Sequence, residues 1–423
     1  MTDRHPIEIV KTTGPQVYTV SFQTDSKFAA QWQSALRSAH QNKLHVSCCC
    51  AGTGPRRFSV RYMSGSDSYH LARYAHTGQE HALDCGYYTP DPDKSGLSGY
   101  SKGVIEETSD GDLRIKLTLS LRKQDPADAG EPRAERTGTQ NARATKPAMT
   151  LLGLLHLLWT EAELNVWSPG MAGKRDTSLI HRRLALAANR ITTHRLRLDD
   201  SLVVATVVSG GTQEKANAGK VASAIRNNRR LLVIAPLAAY SLERAEGTPG
   251  FIAIKGFHGV PKLSYDAETW ASVCRRFKRE LSAWSQGKRV IAIVQTDTPT
   301  SSEAAQALNI ALMVVSDEWV PVDSSYESVI EAKLRTEGRR FYKPLRYDAE
   351  ADAVFPDFWL LDLPSNREYP MEVYGRSDDK YLKRKAVKTE HYAAEYGAPG
   401  CWSWNAADDT KGLAIPDFPA AKQ

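Results

Sequence analysis

The sequence predicts a multidomain α/β and α+β protein: a small β-rich module at the N-terminus, a helical and α/β middle, and an α/β domain at the C-terminus. Three observations lead there. The chain has 423 residues, more than one hydrophobic core usually serves, so two to four domains are expected. Alternating strand patterns with turn residues between them dominate residues 45–121. Strand and helix patterns then alternate from 231 onward, which favours a partly parallel sheet.

In order, QVYTVSF reads as a strand and FAAQWQSALRSAHQ has the apolar spacing of a helix. FSVRYM and YHLARY form a hairpin with a Gly-Ser turn, and cysteines flank it. YSKGVIEETSDGDLRIKLTLSL is a second hairpin, turning at Ser109-Asp110-Gly111 and closing a module over 1–121. Residues 122–148 are rich in charge, Ala, Pro and Gly and read as a linker. A helical segment covers 149–230, with MTLLGLLHLLWTEAEL strongly apolar and LIHRRLALAANRIT amphipathic. His156 and Trp159 are read as core, and the His181-Arg182-Arg183 and Arg229-Arg230 runs as solvated helix faces. An α/β scaffold covers 231–321: LLVIAPLAAY, GFIAIKGF and KRVIAIVQT as strands, AETWASVCRRFKRELSAW as one long helix and EAAQALNIALM as another. It carries neither G-x-x-x-x-G-K-[ST] nor G-x-G-x-x-G. The last domain, 322–423, runs helix, strand, Pro-Asp strand, Glu-bearing strand, basic helix.

Composition is that of a globular protein, 41% hydrophobic and 25% charged, with net charge +6. That mild excess is compatible with a polyanionic partner. The longest apolar run, MTLLGLLHLLW, is too short for a membrane span, and MTDRHPIEIVKTTG lacks an apolar signal core. A cytoplasmic location without membrane contact is expected.

Two constellations carry chemistry. Cys48-x-Cys50 and His81-x-x-x-Cys85 make a Cys3His set in which two close pairs, joined by a hairpin, supply the four ligands a structural zinc ion needs. Cys49 is an alternative to either neighbour, and His76 or His70 to His81. In the C-terminal domain Glu327 opens the helix YESVIEAKLRTEG. Pro356-Asp357 precedes the apolar FWLLDL, and Glu372 lies fifteen residues on, in PMEVYG. The turn residues LPSNREYP between them let the two strands form a hairpin with Asp357 near Glu372. Carboxylates so placed hold Mg²⁺ or Mn²⁺ with positions left for substrate. Arg339, Arg340, Lys343 and Arg346 are read as phosphate contacts.

This block resembles the PD-(D/E)-x-K nuclease superfamily, with Pro356-Asp357 and Glu372 as its acidic half-motifs. The resemblance implies a restriction-endonuclease-like domain in which Asp357, Glu372 and Glu327 serve a metal. Tyr374 stands where the pattern has its lysine; Lys385 or Lys388 on the following helix are the candidates to orient the water, with Lys380 a further alternative. The full chain is also similar to an uncharacterised bacterial family of plasmids and integrative conjugative elements, through the Cys48-x-Cys50 pair, TGQEHALDC, LLHLLWTEAELNVW, GRRFYKPLRYD and PMEVYG. Together these imply a metal-dependent DNA endonuclease or nickase of a mobile element. The alternatives are an inactive nuclease-fold protein that binds DNA or assembles in conjugation, and a partner acting through protein contacts alone.

Overall fold

A computed structural model describes residues 4–63, 67–74, 77–89, 100, 103–108, 111–122, 147–194, 196–247, 250–347 and 355–422; for Lys380 it describes the backbone only. Most of the linker reading, the Gly-Ser turn, the Ser109-Asp110 turn residues and His76 lie outside the described residues.

Four sheets organise the chain. The first is antiparallel, in the order Gly14–Tyr18, Ile7–Lys11, His45–Cys48, Arg57–Met63, Ser68–Arg73. The helix Ala29–Gln41 buries Trp32, Leu36 and Ala39 in the core that includes Ile7, Ile9, Val46 and Phe58. The second sheet joins Ile105–Glu107 and Leu113–Ile115 to Ile191–Thr193 and Leu196–Arg197. The third orders Leu202–Val204, Leu232–Pro236, Arg289–Thr296, Ala304–Val315 and Lys262–Ser264, with parallel pairs at its two ends and antiparallel pairs at its centre. The expected partly parallel sheet is therefore present.

Two readings in this region are corrected. EAAQALNIALM is strand from Ala304 onward, in Ala304–Val315, because it pairs along the whole of Arg289–Thr296 and buries its inward positions there. Helix-forming Ala and Leu yield to tertiary pairing. AETWASVCRRFKRELSAW is two helices, Ala267–Arg276 and Lys278–Ser285, which meet at Phe277 (φ −116°, ψ 41°).

The fourth sheet orders Trp402–Trp404, Tyr369–Val373, Phe358–Leu360, Phe341–Tyr342 and Val166–Trp167. Alternation gives it two apolar faces. Phe341, Phe358, Leu360, Met371 and Val373 pack with Ile330 and Leu334 of the helix Ser325–Thr336. On the other face Tyr342, Trp359, Leu361 and Val166 pack with Leu83 and Tyr88 from the N-terminal module. Pairing thus crosses the boundaries that composition suggested: Leu113–Ile115 belongs with Ile191–Thr193, and Val166–Trp167 forms an edge of the C-terminal sheet. Among the described residues, no helix is long and apolar enough to cross a membrane.

Candidate functional site

The antiparallel register ends at Phe358 opposite Met371, so Asp357 just precedes that pair and Glu372 just follows it, and the Asp357 N–H donates to the Met371 carbonyl at 3.0 Å. Asp357 Oδ2 accepts the Val373 N–H at 2.8 Å, which fixes the carboxylate at the strand entrance. The basic helix Asp379–Tyr396 passes over this face. Lys388 Nζ lies 2.8 and 3.0 Å from the two oxygens of Glu372 and donates to the Phe355 carbonyl at 3.0 Å. One turn later Tyr392 donates its hydroxyl to Glu372 Oε1 at 2.9 Å. Spacing of i and i+4 on one helix face brings both groups to one carboxylate.

Lys385 goes elsewhere. Its ammonium lies 4.2 Å from the Tyr374 ring centroid and donates to Asn405 Oδ1. Of the two candidate lysines, then, the structure brings Lys388 to the acids and sets Lys385 over the tyrosine that stands in the motif's lysine position.

Glu327 is held on the other face of the sheet. Ser324 caps its helix by accepting the Glu327 N–H, and Glu327 Oε2 accepts from the Asp323 N–H at 2.9 Å, so the side chain does act at the helix N-terminus. It also lies 3.0 Å from Lys343 Nζ, which pairs with Asp323 Oδ2 at the same distance. Lys343 is 2% exposed.

The metal candidate in the N-terminal module is more compact. Cys48, Cys50, His81 and Cys85 are all buried, and their ligand atoms lie within 4.8 Å of one another. Among the described residues no other three or more Cys, His, Asp or Glu groups gather so closely; the three carboxylates are not such a set. A zinc tetrahedron with Zn–S about 2.3 Å and Zn–N about 2.0 Å has edges of about 3.8 Å between sulfurs and about 3.5 Å between sulfur and nitrogen. The Cys48–Cys85 sulfurs are 3.9 Å apart, and His81 Nδ1 lies 3.6 Å from Cys50 and 3.5 Å from Cys85. The Ala82 N–H points to Cys50 Sγ at 3.4 Å, as suits a thiolate. Cys49 is exposed, and His70 lies apart beside Arg61 and Arg190. Among the described residues, the geometry thus gathers Cys48, Cys50, His81 and Cys85 rather than Cys49 or His70. The loop closes only around glycine at position 52, where a Cβ would meet the Glu80 carbonyl at 2.0 Å.

The family pattern described as protein of unknown function (DUF1173) matches residues 18–407. The chain belongs to the DUF1173 family. No curated protein and no solved structure matches it.

In this DUF1173 protein, burial pushes Glu372 up to about 7; Asp357 adds repulsion and Lys388 opposes both. Burial likewise pushes Glu327 up to about 7 against the pull of Lys343, with Asp323 and Asp357 adding repulsion. Burial also opposes ionisation of Asp323, but Lys343 and Arg346 outweigh it and hold that carboxyl well below its usual range. In the Cys3His set, Cys50 is held far below the usual thiol range by Cys48 and then Cys85, whereas Cys48 is pushed up to about 12, chiefly by Cys50. Without an ion, crowding lets one thiol ionise at its neighbours' expense; a bound cation would favour all the thiolates together.

The basic residues read as phosphate contacts are mostly engaged inside the fold. Arg339 forms a two-point pair with Asp362 (2.8 and 3.0 Å). Arg340 donates to the Cys85 carbonyl at 2.7 Å and Lys343 bridges Asp323 and Glu327. All three are buried; Arg346 is half-buried over the Phe355 ring. Sequence reasoning missed Tyr392, which the i+4 spacing from Lys388 could have signalled, and Asp323 and Asp362, which only the tertiary fold identifies.

Proposed function

We propose that this protein is a metal-dependent endonuclease or nickase that hydrolyses DNA phosphodiester bonds, with a structural zinc ion at Cys48, Cys50, His81 and Cys85. The observation that carries the reading is Asp357 held at the Val373 N–H beside Glu372, with Lys388 on both Glu372 oxygens. Two neighbouring carboxylates with one lysine from the following helix suit a divalent cation. Mg²⁺ or Mn²⁺ held by Asp357 and Glu372 would polarise a phosphoryl oxygen and activate a water. Lys388 orients Glu372 and sets an ammonium beside the reacting water, while Tyr392 fixes the carboxylate from the same helix. Arg346 is the remaining arginine of its group for a phosphate contact. Glu327, paired with Lys343, acts on Asp357 through its charge. DNA of a mobile element, and that element's proteins, are the proposed partners.

A second reading rests on a specific feature: Lys388 and Lys343 each pair directly with an acid of the set. A domain whose acids are satisfied internally would bind or assemble without cutting. Supercoiled DNA with Mg²⁺ or Mn²⁺ separates the two, using wild type beside Glu372→Ala. Nicking by wild type alone supports the enzyme; no nicking, or equal nicking by both, removes it. Salt-dependent DNA binding without cleavage would then favour the second reading.

A further inference from the structure

Cys85 serves two sites with one residue. Its Sγ points into the Cys3His cluster, 3.5 Å from His81 Nδ1, and its carbonyl accepts from Arg340 Nη2 at 2.7 Å. The same carbonyl closes the turn by accepting the Tyr88 N–H at 3.1 Å. Arg340 is 7% exposed and lies two residues before Tyr342, which pairs with Trp359 in the C-terminal sheet. Leu83 and Tyr88, which flank Cys85, pack against Tyr342, Trp359, Leu361 and Val166. Tyr88 also donates to Glu368 Oε2 at 3.3 Å, in the loop before the Glu372 strand. On the near side Arg73 fixes the loop through the Tyr87 carbonyl at 3.2 Å and Thr89 Oγ1 at 3.1 Å.

The metal loop is thus a covering layer of the carboxylate-bearing sheet. Asp357 sits two residues before Trp359, and Lys343 directly follows Tyr342. We infer that the Cys3His centre is a clamp on this sheet: metal binding at the N-terminal module and order of the strands carrying Asp357 and Lys343 are coupled through Cys85, Arg340, Leu83 and Tyr88. A loop of this kind has little core of its own, so the ion fixes its shape. With the ion removed, the Cys85 carbonyl and the Leu83 and Tyr88 side chains lose their fixed positions. The apolar face of Tyr342 and Trp359 then loses its cover, and the buried Arg340 guanidinium loses an acceptor. Coupling of this kind is reciprocal, so weakening the contact must also weaken the metal.

The inference rests on the reading of the Cys3His set as a metal centre, and the experiment separates the two. Hydrogen exchange is followed by mass spectrometry on the full chain, zinc-loaded and after chelation. Zinc affinity is measured for wild type, Arg340→Met and Tyr88→Phe. Chelation is expected to speed exchange over 80–88 and also over 340–343 and 357–361, leaving 289–296 protected. Arg340→Met is expected to weaken zinc roughly ten-fold, the worth of one charge-assisted hydrogen bond, and Tyr88→Phe a few-fold. Should Arg340→Met not fold, Tyr88→Phe carries the affinity test. Faster exchange confined to 45–88, or unchanged zinc affinity in the folded variants, overturns the clamp. Loss of protection at 289–296 as well would make the ion a global staple and also overturn it. A wild-type chain that binds no zinc overturns the metal centre itself.

Discussion

Lys388 and Lys385 lie three residues apart on one helix and have opposite prospects. Lys388 touches both oxygens of a carboxylate that is 2% exposed. Removing Lys388 pushes that buried carboxyl further up, so it stays protonated and no longer serves as an anionic ligand near neutral pH. Lys388→Ala is expected to reduce nicking a hundred-fold or more, while Lys385→Ala, which loses a contact over Tyr374, stays within a few-fold. Plasmid-nicking rates compare them directly, and equal losses would remove Lys388 from the mechanism. Glu372 makes a second prediction. Its carboxyl titrates near 4.5 when unfolded and at about 7 when folded. Between those values the folded chain keeps a proton that the unfolded chain releases. This contribution is complete below about pH 4.5 and is lost as pH rises through about 7, a decline of ~3 kcal/mol. In magnesium-free buffer the thermal midpoint is expected to fall from pH 5 to pH 8, less steeply in Glu372→Gln. Saturating Mg²⁺, which binds the ionised folded form, reduces the fall. A slope indifferent to both the ion and the substitution would contradict this.

At the scale of elements, the hairpin of Phe358–Leu360 and Tyr369–Val373 determines the site, because its pairing brings Asp357 to the Met371 carbonyl and the Val373 N–H, on either side of Glu372. Turn residues and a Pro-Asp pair made that hairpin legible in the sequence. The basic helix was legible from its charge, but which lysine reaches Glu372 depends on how the helix rotates against the sheet. The metal loop was legible from its cysteines, and its glycine was not singled out. Gly52→Ala places a Cβ 2.0 Å from the Glu80 carbonyl, so the backbone must move. Weaker zinc retention is the expected outcome, with the far sheet around Arg289–Thr296 unaffected; metal analysis of the purified variant checks it. The misread Ala304–Val315 segment shows the limit of local pattern. Its Ala and Leu content suits a helix, and only the partner strand Arg289–Thr296 makes it a strand.

For the whole molecule, the C-terminal block is not self-sufficient. Its sheet takes an edge strand from Val166–Trp167, and one of its faces is covered by Leu83 and Tyr88. A fragment of 322–423 would expose that face and leave the Phe341–Tyr342 edge unpaired. It is expected to be unfolded or aggregated by circular dichroism and gel filtration; a stable, monomeric fragment would contradict the crossed architecture. Composition shifts suggested successive domains. A continuous core from Tyr100 to Tyr347 instead joins the second and third sheets and the helices between them.

The sequence by itself determined the residue types that carry chemistry and their local settings: two ligand pairs around a hairpin, a Pro-Asp strand, a Glu-bearing strand and a lysine-rich helix. These are short-range properties, fixed by periodicity, turn chemistry and spacing. Only the tertiary structure decided their partners. It set Lys388 rather than Lys385 on Glu372, turned Arg339, Arg340 and Lys343 inward, and laid the Cys3His loop against the carboxylate sheet. Those outcomes depend on which side chain fills a buried space beside which opposite charge. That is settled by packing between segments as far apart as Cys85 and Arg340.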